Sequence, residues 1–278
     1  MQDLDGRVGV VTGAASGIGR GIARAFASAG MRLVVADIEA APLEATAAEL
    51  RALGVPARAV VTDVRDETAV EALAEATTDE YGAVHVVCNN AGVWTVGYQW
   101  ETDLADWRWV LDVNLWGVIH GIRSFAPRLL AQPEGGHIVN TASMGGLIAG
   151  PLIGPYTATK HAVVGLSKGL RAEMALQGAP VGVSVLCPGE IATGLVHKVG
   201  ARPGKTTTEG PGRAPEVEAT LAALREGDRA GMSPDDAGRM VLDAVRQNRF
   251  WILPNAAPHL VRARRETAEL FATGQEAG

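Results

Sequence analysis

Two cysteines among 278 residues, Cys88 and Cys187, leave no disulfide framework to read, and each ends an apolar run with no metal-ligand partner nearby. Both read as core residues of a reducing compartment, so a cytoplasmic protein is expected. No apolar run free of charges reaches the roughly 20 residues that span a bilayer. Met1 through Asp5 carries no basic segment followed by an apolar one, so neither a membrane span nor an export signal is expected. Basic blocks interleaved with aromatic residues are also missing. With 31 acidic against 25 basic residues spread along the chain, nothing suggests a nucleic-acid groove, and a small-molecule substrate is the better reading.

What the chain does have is hydrophobic content of 47% and 34 glycines, which suits a packed fold with many tight turns rather than disorder. Apolar runs at 7–11, 32–36, 57–61, 84–88, 137–141, 181–186 and 250–253 read as strands. Helical patterns alternate with them at 40–53, 67–80, 156–177 and 234–247, with two helical stretches inside 103–131. The strands are apolar on both faces, as when helices cover both sides of a parallel sheet. The expected class is therefore α/β, a Rossmann-like doubly wound parallel sheet, as one catalytic domain over residues 1–278. Residues 190–232 break the rhythm, with polar or glycine- and proline-rich stretches around a short helix at 217–224, and read as a substrate lid. A helical tail is expected at 257–271.

Thr12 to Gly19, TGAASGIG, lies between the first strand and the first helix. There Gly13 suits a tight turn, Gly17 lets the backbone approach a diphosphate, and Gly19 lets the helix pack on the sheet, while the helix N-terminus offers free N–H groups to the anion. Asp37 closes the second strand, where its carboxylate either accepts from adenosine ribose hydroxyls or caps the helix beginning near Ala40. The ribose role favours NAD over NADP, since a 2'-phosphate would meet a like charge. Ala14, Ala15 and Ser16 supply no compensating base, although Arg20 and Arg24 stand further along the helix.

Tyr156 and Lys160, four apart at the start of a helix, share one face. An ammonium beside the phenol would favour the phenolate and lower a pKa that starts near 10. Ser143, at the end of the preceding strand, could hold a carbonyl or alcohol oxygen beside Tyr156. The same spacing also suits a half-exposed helical face, and Ser143 suits a turn. Strand ends decide between these readings, because ligands of doubly wound sheets sit beyond the carboxyl ends of the strands.

In order and spacing, TGAASGIG, Asp63-Val64, Asn89-Asn90-Ala91-Gly92, Asn114, Ser143, Tyr156 to Lys160 (YTATK), Pro188-Gly189 and Thr193 closely resemble the short-chain dehydrogenase/reductase family, through about residue 253. The resemblance implies a seven-stranded sheet of order 3-2-1-4-5-6-7 and a homotetramer or homodimer built partly through the two long central helices. It implies Tyr156 as general acid in reduction and base in oxidation, with Lys160 lowering its pKa and binding the nicotinamide ribose. Ser143 would position the substrate oxygen, and Asn114 would maintain a proton relay.

NAD is the implied cofactor, with direct hydride transfer and no metal. Its contacts would come from Gly13, Ser16, Gly17, Ile18 and Gly19, then Asp37 and Ile38. Asp63 and Val64 would flank the adenine. Asn89 with Asn90, Ala91 and Gly92, then Tyr156 and Lys160, and finally Pro188, Gly189, Ile191 and Thr193 would complete the set. The chain departs from the family after Pro188-Gly189, where Glu190 and Ile191 stand in place of a valine-containing segment. Glu190 reads as a lid hinge, a substrate-side carboxylate or a solvated loop acid.

Expected pocket walls are Trp94, Tyr98, Met144, Leu147, Ile148, Leu152, Ile153 and Leu195, with few charges. A hydrophobic alicyclic or aromatic alcohol, or its ketone, therefore fits better than a phosphorylated substrate. Trp107, Trp109 and Trp116 suit core or subunit contacts. Two other functions are compatible with the residues: reduction of keto-acyl intermediates in lipid synthesis, and a catalytically inactive nucleotide-binding regulator.

Overall fold

Alternate residues of Val8–Thr12 (β1) point to opposite faces of a sheet, and both faces are apolar: Val10 belongs to one core layer and Val11 to the other. The computed structural model describes residues 2–200 and 214–274. Within them the same pattern repeats at Arg32–Asp37 (β2), Ala57–Val61 (β3), Val86–Asn89 (β4), Gly136–Thr141 (β5), Val181–Leu186 (β6) and Trp251–Ile252 (β7). These strands pair in parallel in the order β3-β2-β1-β4-β5-β6-β7. The chain thus winds outward from β1 in one direction and from β4 in the other, and the gap above these two strands is where a ligand crevice opens.

Each face carries its own helices. Gly17–Ser28 (α1), Ala40–Ala52 (α2) and Pro234–Gln247 (α8) bury Ile22, Phe26, Leu43, Leu50 and Val241 against Val11, Val35 and Val139. On the other face Glu67–Tyr81 (α3), Gly117–Ala131 (α5) and Gly154–Leu176 (α6) bury Leu73, Phe125 and Val163 against Val10, Val87 and Ile138. Burial holds α1 more than its ends do. Its N-cap, Ser16, makes no side-chain cap bond, yet Phe26 is fully buried. That ring alone contributes roughly 2–3 kcal/mol, against about 1 kcal/mol for a capping bond.

The α1 and α8 backbones touch. A Cβ at Gly21 would stand 2.1 Å from the Pro234 carbonyl oxygen, and one at Gly238 would stand 2.2 Å from that of Gly21. Arg24 adds a polar tie, reaching Glu49 of α2 at 2.5 Å and Asp235 of α8 at 3.2 Å.

Sequence and structure agree on the strands to within one or two residues and differ in three helical places. The two stretches inside 103–131 are one continuous rod, Leu104–Leu111 (α4) joined to α5 through a π-helical turn at Asp112–Trp116. The short helix expected at 217–224 extends over Pro215–Ala230 (α7), because Glu216, Glu218 and Pro215 suit its first turn although only Val217 and Leu221 are buried. The tail helix runs over Ala257–Gly274 (α9). The polar stretch at 205–209 and most of 210–215 lie outside the described residues. No described helix is long and apolar enough to cross a membrane.

Candidate active site

The turn after β1 needs glycine for backbone reasons. Gly13 sits at φ +66°, and a side chain there would run 2.8 Å from the Cα of Ala91. Space is equally tight at Gly19, where a Cβ would stand 2.1 Å from the Gly13 carbonyl oxygen, so the turn folds back on the helix it starts. Thr12 locks this end of β1 to the end of β4. Its hydroxyl accepts from the Asn90 and Ala91 amides at 2.9 and 3.2 Å, and Asn90 Nδ2 returns a bond to the Thr12 carbonyl at 3.0 Å.

Above this junction lies a crevice of about 680 Å³. Its walls include Gly13, Ser16, Gly17, Ile18, Asp37, Ile38, Asp63, Val64, Asn90, Ala91, Gly92, Tyr156, Lys160, Pro188 and Thr193, which were all expected on a cofactor path. Gly19, Gly189 and Ile191 are not on the walls. Gly19 and Gly189 instead serve close backbone packing, Gly189 against Asn255, and Ile191 is buried beside Met232. Asn89 faces the interior, donating to Asn140 at 2.9 Å.

At one end, Asp37 accepts from the Ala15 amide at 3.0 Å and from the Glu39 amide at 3.1 Å. It therefore braces both the glycine turn and the turn into α2, whose N-cap is Glu39. Arg65 grips the Asp63 carboxylate through Nε and Nη2, the latter at 2.6 Å, and holds its pKa below the usual range. Arg20 and Arg24 bind Glu49 instead of facing the crevice.

At the other end, the first turns of α6 carry Tyr156 and Lys160. Lys160 is buried and donates to the Thr141 carbonyl at 2.9 Å. Burial pushes its ammonium down to about 8. Burial also pushes the Tyr156 phenol up, partly offset by a hydrogen bond with Ser143. The expected lowering of this phenol is not the direction found here: burial sets it, with Lys160 Nζ 5.5 Å from the ring centroid. Ser143 Oγ also accepts from the Gly145 amide at 3.0 Å, so the turn reading of Ser143 holds alongside its contact with Tyr156.

Asn114 is fully buried in the π-helical turn, a distortion frequent at functional sites. Its amide binds the Val93 backbone in both directions at 2.8 Å and reaches Thr159 Oγ1 at 3.3 Å. A Cβ at Gly92 would stand 3.6 Å from Asn114 Oδ1 and 3.7 Å from Lys160 Nζ, so the two polar ends flank one point of the backbone.

Of the expected apolar walls, only Leu195 lines the crevice, joined by Val93, Trp109 and Val113. Trp109 thus serves core and crevice together, while Trp116 is half exposed. Trp94 stands behind Tyr156, ring centroids 5.8 Å apart, and its indole N–H donates to the Leu195 carbonyl at 3.2 Å. Leu152 and Tyr98 pack instead with Val217 and Leu221 of α7. Glu190 turns away from the crevice, its carboxylate 2.9 Å from His259 Nε2 of α9. The sequence reading also missed Glu39 and Lys198 as wall residues.

The groups lining the crevice suit an extended dinucleotide: a carboxylate acceptor at one end, glycine backbone at the middle, and at the other an ammonium with hydrogens beyond the one given to Thr141. Solved and curated proteins resemble the chain throughout. A short chain dehydrogenase/reductase from Burkholderia phymatum, crystallised in complex with NAD, superimposes with a TM-score of 0.91 at 41% identity, over 97% of this chain and 96% of that one. A 1-deoxy-11-beta-hydroxypentalenate dehydrogenase of Streptomyces arenae is 40% identical over 90% of this chain and 83% of its own. A C alpha-dehydrogenase of Sphingobium sp. (strain NBRC 103272 / SYK-6) is 36% identical over 91% and 82%. Residues 7–204 match the short chain dehydrogenase family, and the chain belongs to that family of oxidoreductases.

Proposed function

We propose that the protein interconverts a hydrophobic secondary alcohol, alicyclic or aromatic, and its ketone, with NAD as the hydride carrier. The observation that carries this reading is the meeting of Tyr156 and Lys160 at one end of the crevice whose other end carries Asp37, with Ser143 hydrogen-bonded to Tyr156. The dehydrogenase names of the relatives and the NAD of the Burkholderia protein support it. When bound, the cofactor supplies hydride transfer at the nicotinamide C4. In oxidation the Tyr156 oxygen takes the alcohol proton, Ser143 holds the substrate oxygen, and Lys160 supplies the positive charge that favours the phenolate. In reduction the buried phenol gives its proton back. Asn114 orients the backbone beside Lys160 and keeps a proton path open. Buried, unbridged Cys88 and Cys187 support a cytoplasmic setting.

The test is kcat/KM for a panel of hydrophobic secondary alcohols with NAD and NADP, alongside Asp37→Ala. Wild type is expected to favour NAD by about tenfold or more, a difference of roughly 1.4 kcal/mol, and the variant to lose most of that preference. Preference for NADP in wild type, or an unchanged ratio in the variant, would remove Asp37 as the discriminating group.

The described parts of 190–232, residues 190–200 and 214–232, act in this reading as a lid, with 201–213 outside the described residues. Asp228 of α7 accepts from the Thr193 and Gly194 amides at 3.0 and 2.9 Å, tying the loop after β6 to the lid helix. Beyond that tie, the apolar hold on α7 among the described residues is a small cluster around Val217 and Leu221, which suits a segment that opens. Hydrogen exchange over 190–200 and 214–225 is expected to slow when NAD and an alcohol are both bound. Equal exchange under conditions of measured binding would count against closure.

A further inference from the structure

We propose that Lys198 and Glu39 form a charge clasp across the adenosine end of the crevice, in which Glu39 occupies a lysine that would otherwise pair with a ribose 2'-phosphate. The inference rests on the cofactor reading above and adds a second determinant of nucleotide choice to Asp37.

Lys198 belongs to the short 3-10 turn Leu195–Lys198 of the lid, Glu39 to the turn between β2 and α2, and both line the crevice. Lys198 Nζ donates to Glu39 Oε2 at 2.5 Å, joining opposite walls from positions 159 residues apart. Neither end of the clasp is loosely placed. Trp94 holds both ends of the lid turn, its indole N–H on the Leu195 carbonyl and its own carbonyl accepting from the Gly200 amide at 3.1 Å. The Glu39 amide is held by the Asp37 carboxylate itself, so the Glu39 side chain stands beside the group that would read the ribose.

Among the described residues, three cations line the crevice: Arg65, Lys160 and Lys198. Arg65 is committed to Asp63 and Lys160 lies with Tyr156 at the far end. Lys198 is thus the cation placed to meet a 2'-phosphate, and Glu39 neutralises it. Removing the Glu39 charge should release a positive charge toward that position while leaving the Asp37 contact with a free 2'-hydroxyl intact. Because the pair is half exposed, the effect should be moderate: about a three- to tenfold fall in the ratio of the NADPH to the NADH dissociation constant.

Equilibrium fluorescence titration with NADH and NADPH on wild type, Glu39→Gln, Lys198→Met and the double variant reads this directly, without turnover. The expected result is a lower ratio in Glu39→Gln that returns to the wild-type value in the double variant. An unchanged ratio in Glu39→Gln, or a gain that survives loss of Lys198, would overturn the clasp. Asp37→Ala in the same titration separates the two levels. If that variant leaves the ratio unchanged, the Asp37 reading fails, while the coupling between positions 39 and 198 still decides the clasp.

Discussion

Tyr156→Phe is expected to fold and bind cofactor normally while losing roughly 100- to 10,000-fold in turnover, the range for a positioned acid-base group. The ring lies against Trp94, so phenylalanine keeps the packing and removes only the oxygen. Ser143 then loses its partner on the phenol but keeps the Gly145 amide, which limits the structural cost. Kinetics with a verified alcohol and a parallel cofactor titration separate the two effects. Turnover near that of wild type would show that the proton travels by another group.

Lys160→Met should damage both turnover and cofactor affinity, because in the proposed role the ammonium supplies charge to Tyr156 and hydrogens to the nicotinamide ribose. A variant with both quantities preserved would break the double role. The same substitution has a signature in stability. The folded pKa of about 8 lies below the ordinary lysine value of 10.5, so the folded chain releases this proton first. Below pH 8 both states are protonated and the fold bears the full cost of a buried charge. As pH rises from 8 to 10.5, wild type gains stability relative to the variant, on the order of 3 kcal/mol in total. Denaturant unfolding of both proteins without cofactor, between pH 7 and 11, measures that difference. A flat difference would mean that Lys160 is not desolvated.

The strands, the glycine turn and the Tyr156-Lys160 pair were legible because each is written in local spacing. Val10 and Val11 announce a sheet covered on both faces, and Gly13 announces a turn that only glycine can make. Features that depend on two distant segments left no such mark. No local spacing marks Glu39 and Lys198 as partners, and only the fold places them opposite one another. Trp109 read as a core or subunit contact, and it packs in the core, but helical spacing could not show that its other side borders the crevice. The π-helical turn at Asp112–Trp116 adds a residue to one turn of an otherwise regular rod, a shift that propensity does not register. At Tyr156 the residue types suggested a lowered pKa, whereas burial set the direction.

The close contact between α1 and α8 gives the nucleotide end a late date of completion. The glycine turn leaves the ribosome well before α8, yet the helix it opens rests on Pro234 and Gly238, more than 200 positions downstream. Until those residues are made, Phe26 and Ile22 lack part of their cover, and α1 lacks the surface it packs against. Contacts of such long sequence separation form slowly. Nucleotide binding therefore reports on the arrival of α8, and a nascent chain lacking it holds the glycine motif in sequence without yet holding all of the packing behind it.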